Sequence, residues 1–313
     1  MMLRRIIILA LVSSVSAAPD AGKIKPVYAF ITDSDIRQFE EVIEGFRQSH
    51  GATDLRRLNL QGKIDAPAVK KFLGENKPAL IVALGSIAAT TVASLDIDTP
   101  VIFGMVLNHR RYAQLKKRNI TGISMEIPAR SWLTQFRLFF PELRGIAVPY
   151  NPDASAEIIQ DAVVAAEAMK IRVFGISVSE PGAIGAQLSS HKAGDFNGLW
   201  MVADFKLYHQ DSPAFVHLLE YSHDSKKPLL GASEAFVKAG AFFSVSINYQ
   251  SLGSQLALVS RQILDDKVLP AAIAVAPPIG TYTVVNKKAG REILGARFSD
   301  DLLMHADKVY PEE

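Results

Sequence analysis

The chain has 313 residues, 49% of them hydrophobic and 21% charged, with a formal net charge of +2 at pH 7. This composition excludes a disordered or low-complexity chain, and the length exceeds one ordinary compact core and points to two lobes. Charge spread along the chain gives no reason to expect nucleic acid as a partner, and the absence of cysteine excludes a disulfide framework and an acylated N-terminal tether.

The first residues, MMLRRIIILALVSSVSAAPDA, place Arg4 and Arg5 before an apolar run from Ile6 to Val12 and small residues up to Ala18. That is the pattern of a secretory signal peptide over 1–18, too short to span a bilayer, and it predicts export to the periplasm without lipid attachment. From residue 24 onward, short apolar runs alternate with amphipathic ones, as in a parallel sheet with crossover helices. PVYAFI (26–31) reads as a strand, followed by a helix whose Ile36, Phe39, Val42, Ile43 and Phe46 share one face. ALIVALG (79–85) precedes a helix from Ser86, and TPVIFGMV (99–106) and ITGISM (120–125) are further strands. After the amphipathic PARSWLTQFRLFFPEL, the segment RGIAVPY opens a second series. It comprises a helix over 153–169, strand RVFGISV, a helix near 181–190, strand GLWMVAD, a helix near 211–224 and strand PLLGAS. GAFFSVSIN (240–248) feeds a helix with Leu252, Leu256, Val259 and Ile263 at helical spacing, and GTYTVVNKKAGREILG supplies an extended run and a closing helix. The one dense basic run, HRRYAQLKKR (109–118), reads as a solvated helix end.

Ligands of open parallel sheets lie beyond the carboxyl ends of the strands, against the helix N-termini that follow. There this chain places TDSD (32–35), GSIAA (85–89), NPDAS (151–155), ADFKLY (203–208) and ASEAF (232–236). These loops carry small polar or acidic side chains, with no glycine-rich phosphate cradle and no GxSxG elbow, so they suit hydrogen bonding to a small polar solute rather than covalent chemistry. Singly, Asp33, Asn151 and Asp153 read equally well as helix caps. The histidines show no paired metal-ligand spacing, and neither a metal, a cofactor nor an enzymatic activity is expected. Trp132 and Trp200 read as core packing, one on an amphipathic helix and the other within an apolar strand.

The ordered set IVALGSIAATTV, TPVIFGMV, NITGISMEIP, FPELRGIAVPYNPDAS, GAFFSVSINYQSLGSQLALVSRQILDDKVLP and YTVVNKKAGREILG resembles the substrate-binding proteins of ABC transporters with the type I periplasmic binding fold, in the branch that includes binders of tryptophan and other aromatic amino acids. The resemblance implies an α/β architecture of two Rossmann-like lobes with parallel sheets. Lobe 1 would comprise 24–122 plus 247–281 and lobe 2 would comprise 123–246 plus 282–313, joined by three hinge segments near Ile123, Ser246 and Tyr282. It implies a monomer that captures a small polar solute, an amino acid or small carboxylate, and delivers it to ABC permease membrane subunits. The alternative is an exported sensing module that presents its ligand state to a membrane-bound signalling protein.

Carried over position by position, the resemblance puts Thr32, Asp33 and Ser34 in the cleft and offers the helix start at Ser86 and Ile87 to a ligand carboxylate. It puts Asn151 and Ser155 in the second lobe's contact loop, makes Asp204 the partner of a ligand amine, and lets Glu234 line the cleft. Where relatives often carry Asp-Pro, this chain reads MVLNHRRY, so Asn108, His109 or Arg110 would stand in place of an acid. An arginine there favours an anionic ligand, because its planar fork matches a carboxylate.

Overall fold

The computed structural model describes residues 26–51, 54–192, 194–209 and 211–311. The expected signal segment lies outside the described residues. Among the described residues, twelve strands form two sheets. The first has the order β2-β1-β3-β4-β5, built from β1 (Val27–Thr32), β2 (Asp54–Asn59), β3 (Leu80–Leu84), β4 (Val101–Val106) and β5 (Ile120–Ser124), all parallel. The β1, β3 and β5 runs are almost wholly buried, which is why they read as continuous apolar segments rather than alternating ones. β2, with the sequence DLRRLN, is an edge strand with exposed arginines, so no apolar run announces it.

The second sheet has the order β12-β11-β10-β9-β8-β6-β7. Its strands are β6 (Gly145–Tyr150), β7 (Arg172–Ser177), β8 (Gly198–Trp200), β9 (Leu229–Leu230), β10 (Phe243–Ile247), β11 (Thr281–Asn286) and β12 (Lys308–Tyr310). It is not wholly parallel: β11 runs antiparallel to β10, with Ser246 opposite Tyr282. The helix expected near 181–190 is a 3-10 turn at Pro181–Ala183 followed by a short helix at Ile184–Ser189.

The chain passes between the sheets three times. β5 ends at Ser124 and leads to α4 (Ala129–Phe139), whose Trp132, Leu133, Phe136 and Phe139 pack under the second sheet. β10 leads to α9 (Tyr249–Leu264), which returns to the first sheet. From α9 the chain runs beside β5, where Ser124 N–H donates to Ala276 O at 2.9 Å, and re-enters the second sheet at β11.

In the first lobe α9 packs along α1 (Arg37–His50), with Phe39, Val42, Ile43 and Phe46 against Leu252, Leu256, Val259 and Ile263. Both helices carry an apolar stripe of the kind their spacing predicts. His50 closes the far end of this seam. Its ring stacks on Phe46 at 4.8 Å, and Nε2 meets Ala257 O at 3.1 Å and Ser260 Oγ. Burial, aided by the nearby Arg261 charge, holds the His50 imidazole below its ordinary pKa, against the opposing pull of the Ala257 carbonyl and Asp265. A depressed folded-state value means that the unfolded chain takes the proton first, so His50 contributes stability above the ordinary histidine range that is lost as pH falls through it. Acidification from neutrality to pH 5 should therefore lower the wild-type thermal midpoint more than that of His50→Gln. Parallel losses in both proteins would remove His50 as the cause.

Candidate functional site

The carboxyl ends of both sheets face a cleft of about 1440 Å³. Ser86, Leu107, Asn108 and Arg111 line it from the first lobe, and Trp200, Asp204, Phe205, Tyr208 and Glu234 from the second. The passages between the lobes contribute Met125 to Ala129 and Ile247 to Gln250. Among the described residues no group of three or more His, Asp or Glu is placed to hold a metal ion.

Several expected contacts are turned to other work. The Asp33 carboxylate accepts the N–H groups of Ile87 at 3.1 Å and Ala88 at 2.5 Å. The N-terminus of α3 (Ser86–Ser94) is thus capped from within the chain, where a ligand carboxylate was expected. Burial raises the Asp33 pKa, and these N–H bonds offset only part of the rise. Thr32 is buried at the end of β1, and neither it, Asp33, Ser34 nor Ile87 lines the cleft; Ser86 does.

In the second lobe Asn151 is the N-cap of α5 (Pro152–Glu167). Its side chain accepts from Asp153 N–H at 3.1 Å and donates to Val178 O at 3.4 Å, so its polar atoms turn inward. Ser155 is 2% exposed and also lies off the cleft wall.

Asp204 does line the cleft but is 2% exposed, and its carboxylate is occupied by main chain. Oδ2 accepts Asn151 N–H at 2.7 Å, while Oδ1 accepts Lys206 N–H at 3.0 Å and Leu207 N–H at 3.1 Å. The geometry makes Asp204 the clasp between the β6–α5 loop and the loop after β8, rather than a free partner for an amine. Asp204→Ala would strand two buried donors and one partly buried one, so the unliganded protein should lose about 3 kcal/mol of stability. An unchanged unfolding midpoint in urea would contradict the clasp.

Glu234 lies on the cleft wall, within a closed polar cluster. It accepts from Tyr282 Oη at 2.6 Å and pairs with Lys238 and Lys308, each at 2.9 Å. Burial opposes its charge, but the bonds from Tyr282, Lys238 and Lys308 outweigh it and push the Glu234 pKa down to about 2.

On the opposite wall the turn after β4 leaves Asn108 on the cleft lining but not Arg110. Asn108 adopts the left-handed conformation, with φ 47°, and gives its N–H to Glu126 Oε1. Glu126 Oε2 also meets His109 Nδ1 at 3.2 Å. Burial raises the Glu126 pKa, yet these bonds bring the net value below the carboxylate norm. The 3-10 turn His109–Arg111 leaves Arg110 off the cleft lining, in an exposed pairing at 3.8 Å with Asp161, which lines the cleft from the other lobe. Arg111 lines the cleft instead. Its guanidinium lies 4.8 Å from the ring centres of both Tyr112 and Phe205, so it touches both lobes. Among the described residues no carboxylate pairs with it.

The sequence reading missed Arg111, Phe205 and Tyr208. The loop ADFKLY (203–208) held Phe205 and Tyr208, and the repeated arginine in NHRRY signalled Arg111, but only the turn geometry says which of the arginine pair faces inward. Trp132 and Trp200 are core residues, 6.2 Å apart between ring centres, and also form part of the cleft wall.

Known proteins show the same architecture. The ligand-free, open structure of CD0873, a substrate binding protein with adhesive properties from Clostridium difficile, aligns with a TM-score of 0.71 and 18% identity over 88% of this chain and 97% of that one. An ABC domain from Streptococcus pneumonia in complex with L-Trp aligns at 0.59 with 22% identity, over 90% of this chain and 99% of that one. A periplasmic ribose ABC transporter protein from Conexibacter woesei aligns at 0.54 with 15% identity, over 87% of this chain and 95% of that one. No curated protein matches the sequence. The model of the family described as ABC transporter substrate binding protein matches residues 56–310. With two α/β lobes around one cleft and a family match over most of its length, the chain belongs to the ABC transporter substrate-binding proteins, which bind a solute without transforming it.

Proposed function

We propose that the protein captures a small carboxylate-bearing solute, an amino acid or small organic acid, between its lobes and delivers it to the membrane subunits of an ABC permease. The observation that carries the solute class is Arg111. A planar cation held between two aromatic rings at the cleft, with no carboxylate partner among the described residues, is preorganised for a bidentate anion. The apolar wall around Trp200 and Phe205 suits the remainder of an amphipathic solute. A solute touching both walls stabilises the closed form by its differential affinity for that form, and closure about the three passages is the signal a permease would read. Export by the N-terminal segment and action as a monomer in the periplasm belong to this reading.

The test is a thermal-shift screen of the purified mature protein against amino acids, small carboxylates, phosphonates, sugars and nucleosides, with L-tryptophan included because a structural neighbour binds it. A ligand at a hundredfold excess over its Kd adds about 2.7 kcal/mol to the folded state. Shifts confined to carboxylate-bearing compounds are expected. Shifts confined to sugars or nucleosides would overturn the solute class, and no shift from folded, ligand-free protein would favour a module that signals by other contacts.

A further inference from the structure

Apart from Arg111, the charged residues of the basic run 109–118 do not line the cleft. The run wraps a second cavity of about 280 Å³ on the first lobe, outside the cleft and beside β5. Two hydrogen bonds fix its walls. Ala271 N–H donates to Arg118 O at 3.1 Å, and Thr121 Oγ1 donates to Ile273 O at 2.7 Å, which ties the segment before β11 to the strand edge. Phe103, Leu115, Ile120 and Ile273 give the cavity an apolar floor, and Phe103 and Leu115 are buried residues of the first lobe's core. Its rim carries His109, Arg110, Lys116, Lys117 and Arg118, and among the described residues no Asp or Glu lines it. Arg118 meets only the highly exposed Asp98 at 3.3 Å, and Arg110 meets exposed Asp161 at 3.8 Å. Exposed pairs of this kind are worth little and yield readily to a better anion.

From this combination we infer that the cavity is a second binding site, for a small amphiphilic anion with a ring-sized apolar body and a phosphonate, phosphate or carboxylate head. A solvated helix end needs no concave apolar floor, and a purely electrostatic surface needs no floor at all. The volume lies just under the lower end of small-molecule pockets, which fits one ring and excludes a long chain. The site is separate from the cleft, since none of its floor or rim residues lines the cleft.

Phenylphosphonate is the probe, titrated calorimetrically into the full mature protein. Saturable binding at millimolar or tighter affinity is expected. Lys116→Glu with Lys117→Glu should weaken it about tenfold, the loss of roughly 1.4 kcal/mol of charge-assisted contact. Ala271→Phe, at an exposed position on the cavity wall, fills the space while leaving every core side chain unchanged and should weaken binding as well. Inorganic phosphate, which lacks the ring, should bind about tenfold more weakly than phenylphosphonate. Absence of saturable binding would overturn the site. So would binding unchanged in both variants, which would place the probe elsewhere, and equal affinity for inorganic phosphate would overturn the amphiphilic class.

Discussion

Arg111→Ala is expected to weaken carboxylate binding by roughly 10- to 150-fold, the 1.5–3 kcal/mol typical of hydrogen bonds to a charged group. The unliganded protein should keep its stability, because the guanidinium contributes only ring stacking and a hydrogen bond to Tyr112 Oη at 2.5 Å. Arg111→Lys keeps the charge but loses the fork and the plane that stacks on Phe205, so it should recover only a minor part of the affinity. Calorimetry with the best carboxylate from the thermal-shift screen reads both variants. Wild-type affinity in Arg111→Ala would exclude this residue from recognition.

Gly253→Val should be the most disruptive single change to the fold. Gly45 in α1 and Gly253 in α9 let the two helices touch backbone to backbone. A Cβ built on Gly253 would lie 2.0 Å from Val42 O, and one on Gly45 would lie 2.0 Å from Gln250 O. Real Cβ contacts stay beyond 3.0 Å, and the obstructing atoms are main chain that no rotamer change can move. Gly253→Ala must force the helices apart and open the seam of Phe39, Val42, Phe46, Leu252 and Leu256, at a cost of about 3 kcal/mol or more. Gly253→Val should prevent the first lobe from folding. Gly74→Ala is the control: nothing lies within 4 Å of its added Cβ, so it should stabilise α2 (Ala66–Asn76) by about 0.5–1 kcal/mol. Circular dichroism during urea unfolding reads all three. A Gly253→Ala midpoint equal to wild type would mean that the helices part without cost.

The legibility of the sequence varies with burial. Strands covered on both faces, such as LIVAL in β3, stand out as apolar runs because every residue must avoid water. Edge strands need only one satisfied face, so β2 and the three-residue β12 leave little trace. The antiparallel pairing of β11 also left no signal, since strand direction depends on where the chain crosses between lobes and not on the residues of the strand. At the site, the loops were legible and the roles within them were not. Asn151 and Asp204 lie 53 positions apart and bind one another, and Glu234 meets Lys308 from 74 positions away.

The sequence by itself determined the α/β alternation, the apolar strands and amphipathic helices, and the set of strand-end loops from which a solute site must be drawn. Periodicity and turn chemistry are local, and they survive in any fold that places those residues at strand ends. Only the tertiary structure decided which polar groups remain for a ligand. A buried carboxylate or amide takes the donor that reaches it first, and at Asp33, Asn151 and Asp204 those donors are the protein's own backbone N–H groups. The left-handed backbone at Asn108 and the turn after it then select Arg111, one position beyond the expected arginine, as the cation that faces the cleft.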